Sequence, residues 1–119
     1  MILLFKSIHH ALEGILCFLL TERNGKIECM IACVLSILAW YMRLSALEWC
    51  IQLICIGLVI GAELINTAIE ELCNHISPKH HPQIGLIKDL AAGAVLFVSI
   101  LASIVGIILY YSKVSAIIY

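Results

Sequence analysis

One stretch of the sequence decides what this chain can fold into: residues 90–111 contain no Asp, Glu, Lys or Arg. About 17–25 apolar residues in an α-helix cross the hydrocarbon core of a bilayer, so this stretch is long enough to span it. Hydrophobic residues make up 63% of the 119-residue chain and charged residues only 13%. A globule of this size has too little interior to hide so much apolar surface. We therefore expect an all-α membrane protein, and a soluble enzyme is excluded.

Hydropathy divides the chain, a single membrane domain over residues 1–119, into four segments. Polar side chains recur at helical spacing along the first segment, opposite apolar ones: Lys6, His9, His10 and Glu13. This pattern is typical of an amphipathic helix on the membrane surface, and residues 1–26 are predicted to form that helix and a polar turn. Three transmembrane helices are predicted to follow, at residues 27–42, 46–71 and 87–111.

Two connections separate the predicted spans. Residues 43–45 predict a tight turn, after which Ser45 and Glu48 fit a capping box that opens the next helix. Residues 74–85 predict a polar loop that contains three histidines: His75, His80 and His81. These histidines could indicate zinc, but no Cys–His ligand spacing supports a metal site, so we interpret them as solvent-exposed side chains.

The distribution of Lys and Arg predicts the orientation in the membrane. With three spans, one side of the membrane carries Lys6, Arg23, Lys26, Lys79 and Lys88, and the other side carries Arg43 and Lys113. The side richer in these residues is normally cytoplasmic. We therefore expect the N-terminus and the polar loop to face the cytoplasm, which holds ATP. The net charge of the chain is -1, and its Lys and Arg residues form no continuous basic surface. A protein that binds extended nucleic acid is therefore excluded.

The most informative anomaly is a set of polar residues late in the second predicted span. Glu63, Asn66 and Glu70 are spaced by three and four residues, which places them on one helix face. An ionised carboxylate that faces lipid costs several kcal/mol, so Glu63 is expected to face protein, water or a cation. The alternative is a helix end that leaves the membrane, where carboxylates reach water by snorkelling.

Further polar groups are predicted at the same membrane level, before the first span and at the start of the third. They include Glu22, Glu28, Lys88 and Asp89. Carboxylates that accompany a lysine and an asparagine suit Mg²⁺ with a polyphosphate, because Mg²⁺ is bound by one or two carboxylates plus phosphate oxygens. The sequence has no GxxxxGK[ST] phosphate loop and no protein-kinase motif set.

Four motifs resemble one family, the small bacterial integral-membrane lipid kinases, which comprise diacylglycerol kinase and undecaprenol kinase. The motifs are Ala11-x-x-Gly14, Glu22-Arg23-Asn24, Glu63-x-x-Asn66-x-Ala-x-Glu70 and Lys88-Asp89-x-Ala-Ala-Gly-Ala-Val95. The resemblance implies a homotrimer with a surface N-terminal helix, three spans per subunit and active sites shared between subunits at the cytoplasmic face of the bacterial inner membrane. The small-residue face Gly57-x-x-x-Gly61 favours close packing of another helix, with residues 91–94 as an expected counterpart.

The resemblance also implies a reaction, in which the γ-phosphoryl group of ATP is transferred to the hydroxyl of a membrane lipid with Mg²⁺. By matched position it implies that Glu63 is the general base and that Glu22 and Glu70 bind the metal. Asn66, Lys88, Asp89 and Glu28 are implied to be polar groups of the nucleotide and active site.

Several questions stay open at this point. The family usually has Asp where this chain has Asn74, so this chain lacks that carboxylate. The motifs favour undecaprenol as the lipid substrate, and diacylglycerol is the alternative. Two non-enzymatic alternatives are a membrane proton or ion relay, which would need Glu63 but not ATP, and a purely structural helical subunit.

Overall fold

A computed structural model describes residues 1–77, 79 and 81–119 of the chain. These residues form four α-helices: α1 (Ile2–Thr21), α2 (Arg23–Tyr41), α3 (Ala46–Ile76) and α4 (Pro82–Ile118). The predicted all-helical class is confirmed. The helices divide into two compact units, Met1–Ser36 and Ile37–Tyr119, and the division falls within α2.

Three of the four helices, α1, α3 and α4, are long and apolar enough to cross a membrane. The 31 residues of α3 and the 37 of α4 rise about 46 and 56 Å, which exceeds the ~30 Å hydrocarbon core. Helix α2 falls outside this group, because Arg23, Lys26 and Glu28 lower the hydropathy of its first turns. The span at residues 27–42 and the surface position of α1 therefore stay predictions.

The first unit changes direction at a single residue, Glu22. Its backbone is extended, with φ -78° and ψ 138°, between the last residue of α1 and the first residue of α2. Its carbonyl oxygen already accepts the backbone N–H of Lys26 at 3.0 Å. The polar turn expected before residue 27 is therefore shorter than predicted, because the hydrogen bonding of α2 begins at Glu22 itself.

Gly25 makes this short joint possible. It is buried, and a Cβ atom at this position would lie 1.9 Å from the carbonyl oxygen of Phe18 and 3.1 Å from Cα of Leu19. Only glycine permits two stretches of backbone to approach so closely. Phe18 is 2% exposed, so the joint also contains the most buried large side chain of the first unit.

The second unit opens with a tight turn after α2. Arg43 has φ 56°, in the left-handed region, and its N–H donates to Trp40 O at 3.2 Å, while the N–H of Leu44 donates to Ala39 O at 3.1 Å. This pair of bonds defines a Schellman motif, and the buried Leu44 and Ala39 form its usual apolar pair. The predicted turn at residues 43–45 is confirmed.

Helix α3 begins with the predicted capping box. Glu48 N–H donates to Ser45 Oγ at 3.2 Å, and Ser45 N–H donates to Glu48 Oε1 at 2.9 Å. Helix α3 packs against α4, and polar side chains join the two helices near this end. Lys113 Nζ donates to Glu48 Oε1 at 3.2 Å, and the Tyr110 hydroxyl donates to Oε1 of Gln52. The capping residue of α3 thus also links it to α4.

At the other end of the pair, both helices extend beyond the predicted spans. Helix α3 continues past residue 71 to Ile76, and α4 begins at Pro82 rather than at residue 87. Ser77 ends α3 in an extended conformation, as expected for a residue that precedes proline. Pro82 suits the first helical position, and His81 Nδ1 accepts the N–H of Gln83 at 3.2 Å. Pro78 and His80, which belong to the predicted loop, lie outside the described residues.

The Gly25→Ala substitution is expected to lower the thermal midpoint of the purified protein in detergent, because its methyl group overlaps the α1 backbone. Overpacking of this kind costs about 1–3 kcal/mol. Circular dichroism melts measure the effect. The control is Gly106→Ala in α4, where a new Cβ meets no described atom within 4 Å and alanine is the better helix former. Equal midpoints for the two variants would contradict the close approach at Gly25.

The Arg43→Gly substitution is expected to stabilise the turn between α2 and α3 by about 1 kcal/mol, because the left-handed conformation costs a side-chain-bearing residue about 1–2 kcal/mol. The matched control is Arg43→Ala, which removes the same charge but keeps a Cβ atom. Thermal melts should therefore rise for glycine and not for alanine. A rise of the same size in both variants would mean that the guanidinium, rather than the backbone, destabilises the turn.

Candidate active site

The second unit buries polar side chains and exposes apolar ones. Gln52 is 4% exposed, Glu63 8% and Asn66 7%, whereas Ile65 between the last two is 64% exposed. This is the reverse of a soluble fold, and it is the arrangement that a hydrocarbon solvent imposes on polar groups. The alternative, in which Glu63 snorkels into water from a helix end, does not fit its burial or the extension of α3 to Ile76.

The three polar residues predicted to share one face of α3 differ in exposure along the helix. Glu63 and Asn66 are buried, and Glu70 is exposed. The rise from Glu63 to Glu70 is about 10.5 Å. The face therefore runs from an enclosed carboxylate to an open one.

Asn66 connects to the open end of this face. Its Nδ2 donates a hydrogen bond to Glu70 Oε1 at 3.2 Å. Its Oδ1 is buried and accepts no hydrogen bond from the residues that the structure describes. A buried amide oxygen without a donor costs about 1–3 kcal/mol, so this oxygen is suited to accept a ligand's hydroxyl or water proton, or to coordinate a cation.

Helix α4 contributes a cation next to the end of α3. Lys88 Nζ donates to Asn74 Oδ1 at 2.6 Å, which links the second turn of α4 to the last turn of α3. Asp89 follows with an exposed carboxylate. The contact of Asn74 with Lys88 was not predicted from the sequence. The positions of the two residues could have indicated this contact. Asn74 and Lys88 lie on either side of the connection between two antiparallel helices, and such residues lie at similar levels along the helix axes.

The remaining two predicted site residues belong to the first unit. Glu22 occupies the joint between α1 and α2, where its side chain is exposed. Glu28 lies in the second turn of α2 and is half-buried. The Glu22 carboxylate therefore lies exposed beside the start of α2.

The donor types fit Mg²⁺ rather than a transition metal. In neither unit do the described residues bring together three or more His, Cys, Asp or Glu side chains that could hold a metal. Mg²⁺ needs no such cage, because it keeps several waters and takes one or two carboxylates plus phosphate oxygens. The exposed carboxylate of Glu70, beside the amide oxygen of Asn66 that lacks a donor, meets that requirement.

Two other sequence features are found away from this face. His75 is exposed in the last turn of α3, and His81 is exposed at the N-cap of α4. Both agree with the interpretation of these histidines as solvent-exposed side chains. New Cβ atoms at Gly57 and Gly61 would meet no described atom of their own unit within 4 Å. Neither glycine is covered within its own unit, so the packing of residues 91–94 of another helix against them stays a prediction.

The sequence matches known proteins over most of its length. A family model described as prokaryotic diacylglycerol kinase matches residues 9–110. This match includes every predicted site residue.

Individual relatives align over almost the whole chain. The undecaprenol kinase of Bacillus subtilis (strain 168) is 39% identical over 109 residues, which cover 92% of this chain and 89% of the relative. The diacylglycerol kinase of Haemophilus influenzae is 28% identical over 109 residues, covering 91% of this chain and 92% of the relative. The diacylglycerol kinase of Escherichia coli (strain K12) is 25% identical, with coverages of 92% and 89%.

Proposed function

We propose a substrate and a mechanism from the premise that the chain belongs to the prokaryotic diacylglycerol kinase family and is a lipid kinase, as its motifs predicted. In this proposal ATP is the phosphoryl donor and undecaprenol is the acceptor, which gives undecaprenyl phosphate. The observation that carries the proposal is the burial of Glu63 and Asn66 on one face of α3, directly after the apolar run of residues 53–62.

The choice of undecaprenol is supported by the 39% identity to a relative with that name. Diacylglycerol, which would yield phosphatidic acid, is the second candidate, because other relatives at 25–28% identity are named diacylglycerol kinases. The non-enzymatic alternatives, an ion relay and a structural subunit, have no support from these relatives, all of which are kinases.

Glu63 acts as the general base in the proposed mechanism. Its carboxylate accepts the proton of the lipid hydroxyl while the hydroxyl oxygen forms a bond to the γ-phosphorus. The bond between the γ-phosphorus and the oxygen that bridges it to the β-phosphorus breaks, and ADP leaves. The burial of Glu63 supports this role, because water is excluded from a base that must accept its proton from a lipid.

The other predicted residues bind and orient the nucleotide. Glu22 and Glu70 would hold Mg²⁺, which supplies neutralisation of phosphate charge when it is bound. Lys88 provides a cation for phosphate oxygens, and Asn66 holds the Glu70 carboxylate by its hydrogen bond at 3.2 Å. Asp89 and Glu28 are proposed as further polar groups of the same site.

The proposal also includes the orientation of the protein in the membrane and its oligomeric state. Five of the seven Lys and Arg residues support a cytoplasmic N-terminus and active site in the bacterial inner membrane. We assign α1 to the membrane surface because its polar face carries four titratable side chains, of which His9 and Glu13 pair at 2.9 Å. The uncovered Gly57 and Gly61 support the proposed homotrimer, because a second subunit can pack closely there.

Phosphate transfer from labelled ATP to undecaprenol and to diacylglycerol, measured side by side in nanodiscs with Mg²⁺, tests the function. We expect undecaprenol to dominate, and Glu63→Gln to lower the rate by about 10²–10⁴-fold, because glutamine has the shape of the base but accepts no proton. The matched control is Glu71→Gln, an exposed carboxylate of the same helix, which should keep most of the activity.

Each other outcome corrects a different part of the proposal. A dominant diacylglycerol signal would keep the chemistry and overturn the substrate. An active Glu63→Gln variant would overturn the assignment of the base. Absence of transfer to either lipid by a folded oligomer would contradict the proposed reaction, and proton flux into vesicles would then test the relay.

The Mg²⁺ dependence of the rate tests the metal ligands. We expect Glu70→Gln to raise the half-saturating Mg²⁺ concentration about tenfold or more and to recover activity at high Mg²⁺. The glutamine's carbonyl oxygen can still accept the hydrogen bond from Asn66, so the change removes the charge and keeps the local structure. The same Mg²⁺ requirement as in the unmodified protein would exclude Glu70 as a ligand.

A further inference from the structure

Side-chain hydrogen bonds join α3 to α4 at both ends of the pair, and the two ends differ in charge. Near the turn, the cation of Lys113 is paired with the carboxylate of Glu48 at 3.2 Å. Near the polar connection, the cation of Lys88 donates to the neutral amide oxygen of Asn74 at 2.6 Å. No salt bridge to Lys88 is formed by the residues that the structure describes.

These two contacts have different consequences for the lysines. A carboxylate orients a lysine and also cancels its charge, whereas an amide oxygen orients the lysine and leaves its charge in place. Lysine has three N–H donors, and the contact with Asn74 uses one of them. The ammonium of Lys88 is therefore fixed in direction while its charge and its remaining donors stay available to an anion.

We propose that Asn74 is a positioning residue, which holds the Lys88 ammonium by a neutral hydrogen bond so that its full charge acts on the phosphates of the bound nucleotide. The inference rests on the proposed function and adds to it a residue at which this chain departs from the family, whose usual residue there is Asp. Asn74 does not contact the reacting atoms in this account. It acts on nucleotide affinity through Lys88, and the lipid substrate is unaffected.

The Asn74→Asp substitution tests the inference because it changes one atom and adds one charge. Aspartate in contact with Lys88 would form an ion pair that competes with the phosphates. We expect the dissociation constant for a non-hydrolysable ATP analogue with Mg²⁺, measured on the full-length protein in nanodiscs, to rise about fivefold at low salt. The increase should shrink at high ionic strength, since screening weakens the competing pair.

Steady-state kinetics provide a second readout. In Asn74→Asp the KM for ATP should rise, while the KM for the lipid and the kcat at saturating ATP stay close to those of the unmodified protein. In a Lys88→Gln background the additional Asn74→Asp change should have no further effect on analogue binding, since the cation through which it acts is absent.

Two further variants separate positioning from packing. Glu48→Gln weakens the link at the other end of the same helix pair, so it should lower the thermal midpoint and leave analogue binding unchanged. Asn74→Ala removes the orienting amide without adding charge, and should raise the KM for ATP about two- to threefold with no salt dependence. Asn74→Ala also provides a test of the inference if the Asn74→Asp protein does not assemble.

The outcomes distinguish this inference from the proposed function. Unchanged analogue binding in both Asn74 variants, with normal transfer by the unmodified protein, would overturn the role of Asn74 alone. An equal loss of affinity in Asn74→Asp with and without Lys88 would show that the effect does not pass through the lysine, and would also overturn it. If the unmodified protein neither binds the analogue nor transfers phosphate, the proposed function fails and this inference fails with it.

Discussion

A carboxylate on the lipid-facing side of a transmembrane helix costs several kcal/mol, and this cost orients α3. Glu63 and Asn66 are buried, and Ile65 between them is exposed, so the rotation of the helix about its axis is set by its polar residues. Apolar contacts alone specify rotation weakly in a membrane, because lipid tails and leucine side chains are equally apolar. The residues that are proposed to carry the chemistry therefore also specify the packing.

The two ends of the α3–α4 pair differ in how the charge of their lysine is balanced. Glu48 and Lys113 cancel each other's charge, and both are largely covered, as a purely structural contact requires. Asn74 and Lys88 lie at the end with the open carboxylate of Glu70, where an uncancelled cation is useful. The neutral contact at this end leaves the charge of Lys88 available to a phosphate of the proposed site.

Features that depend on residues close together in the sequence could be predicted, whereas contacts between residues far apart in the chain could not. The capping box of Ser45 and Glu48 and the shared face of Glu63 and Asn66 follow from spacing along one helix, and both predictions hold. The extension of α3 to Ile76 was missed because polar residues such as Asn74 end a membrane span without ending a helix. The left-handed Arg43 gave no signal, because arginine has no preference for that conformation.

The proposed roles divide the reaction along α3 in a way that accounts for different substrates within one family. The base lies about 10.5 Å from Glu70, towards the apolar part of the helix, so the lipid hydroxyl and the metal-bound phosphates approach from opposite directions. Residues that bind ATP then place no restriction on the rest of the lipid. On these proposed roles, selection between undecaprenol and diacylglycerol would depend on apolar residues of α3 between Gln52 and Glu63. The polar residues that are proposed to bind ATP can consequently be shared by kinases named for either lipid.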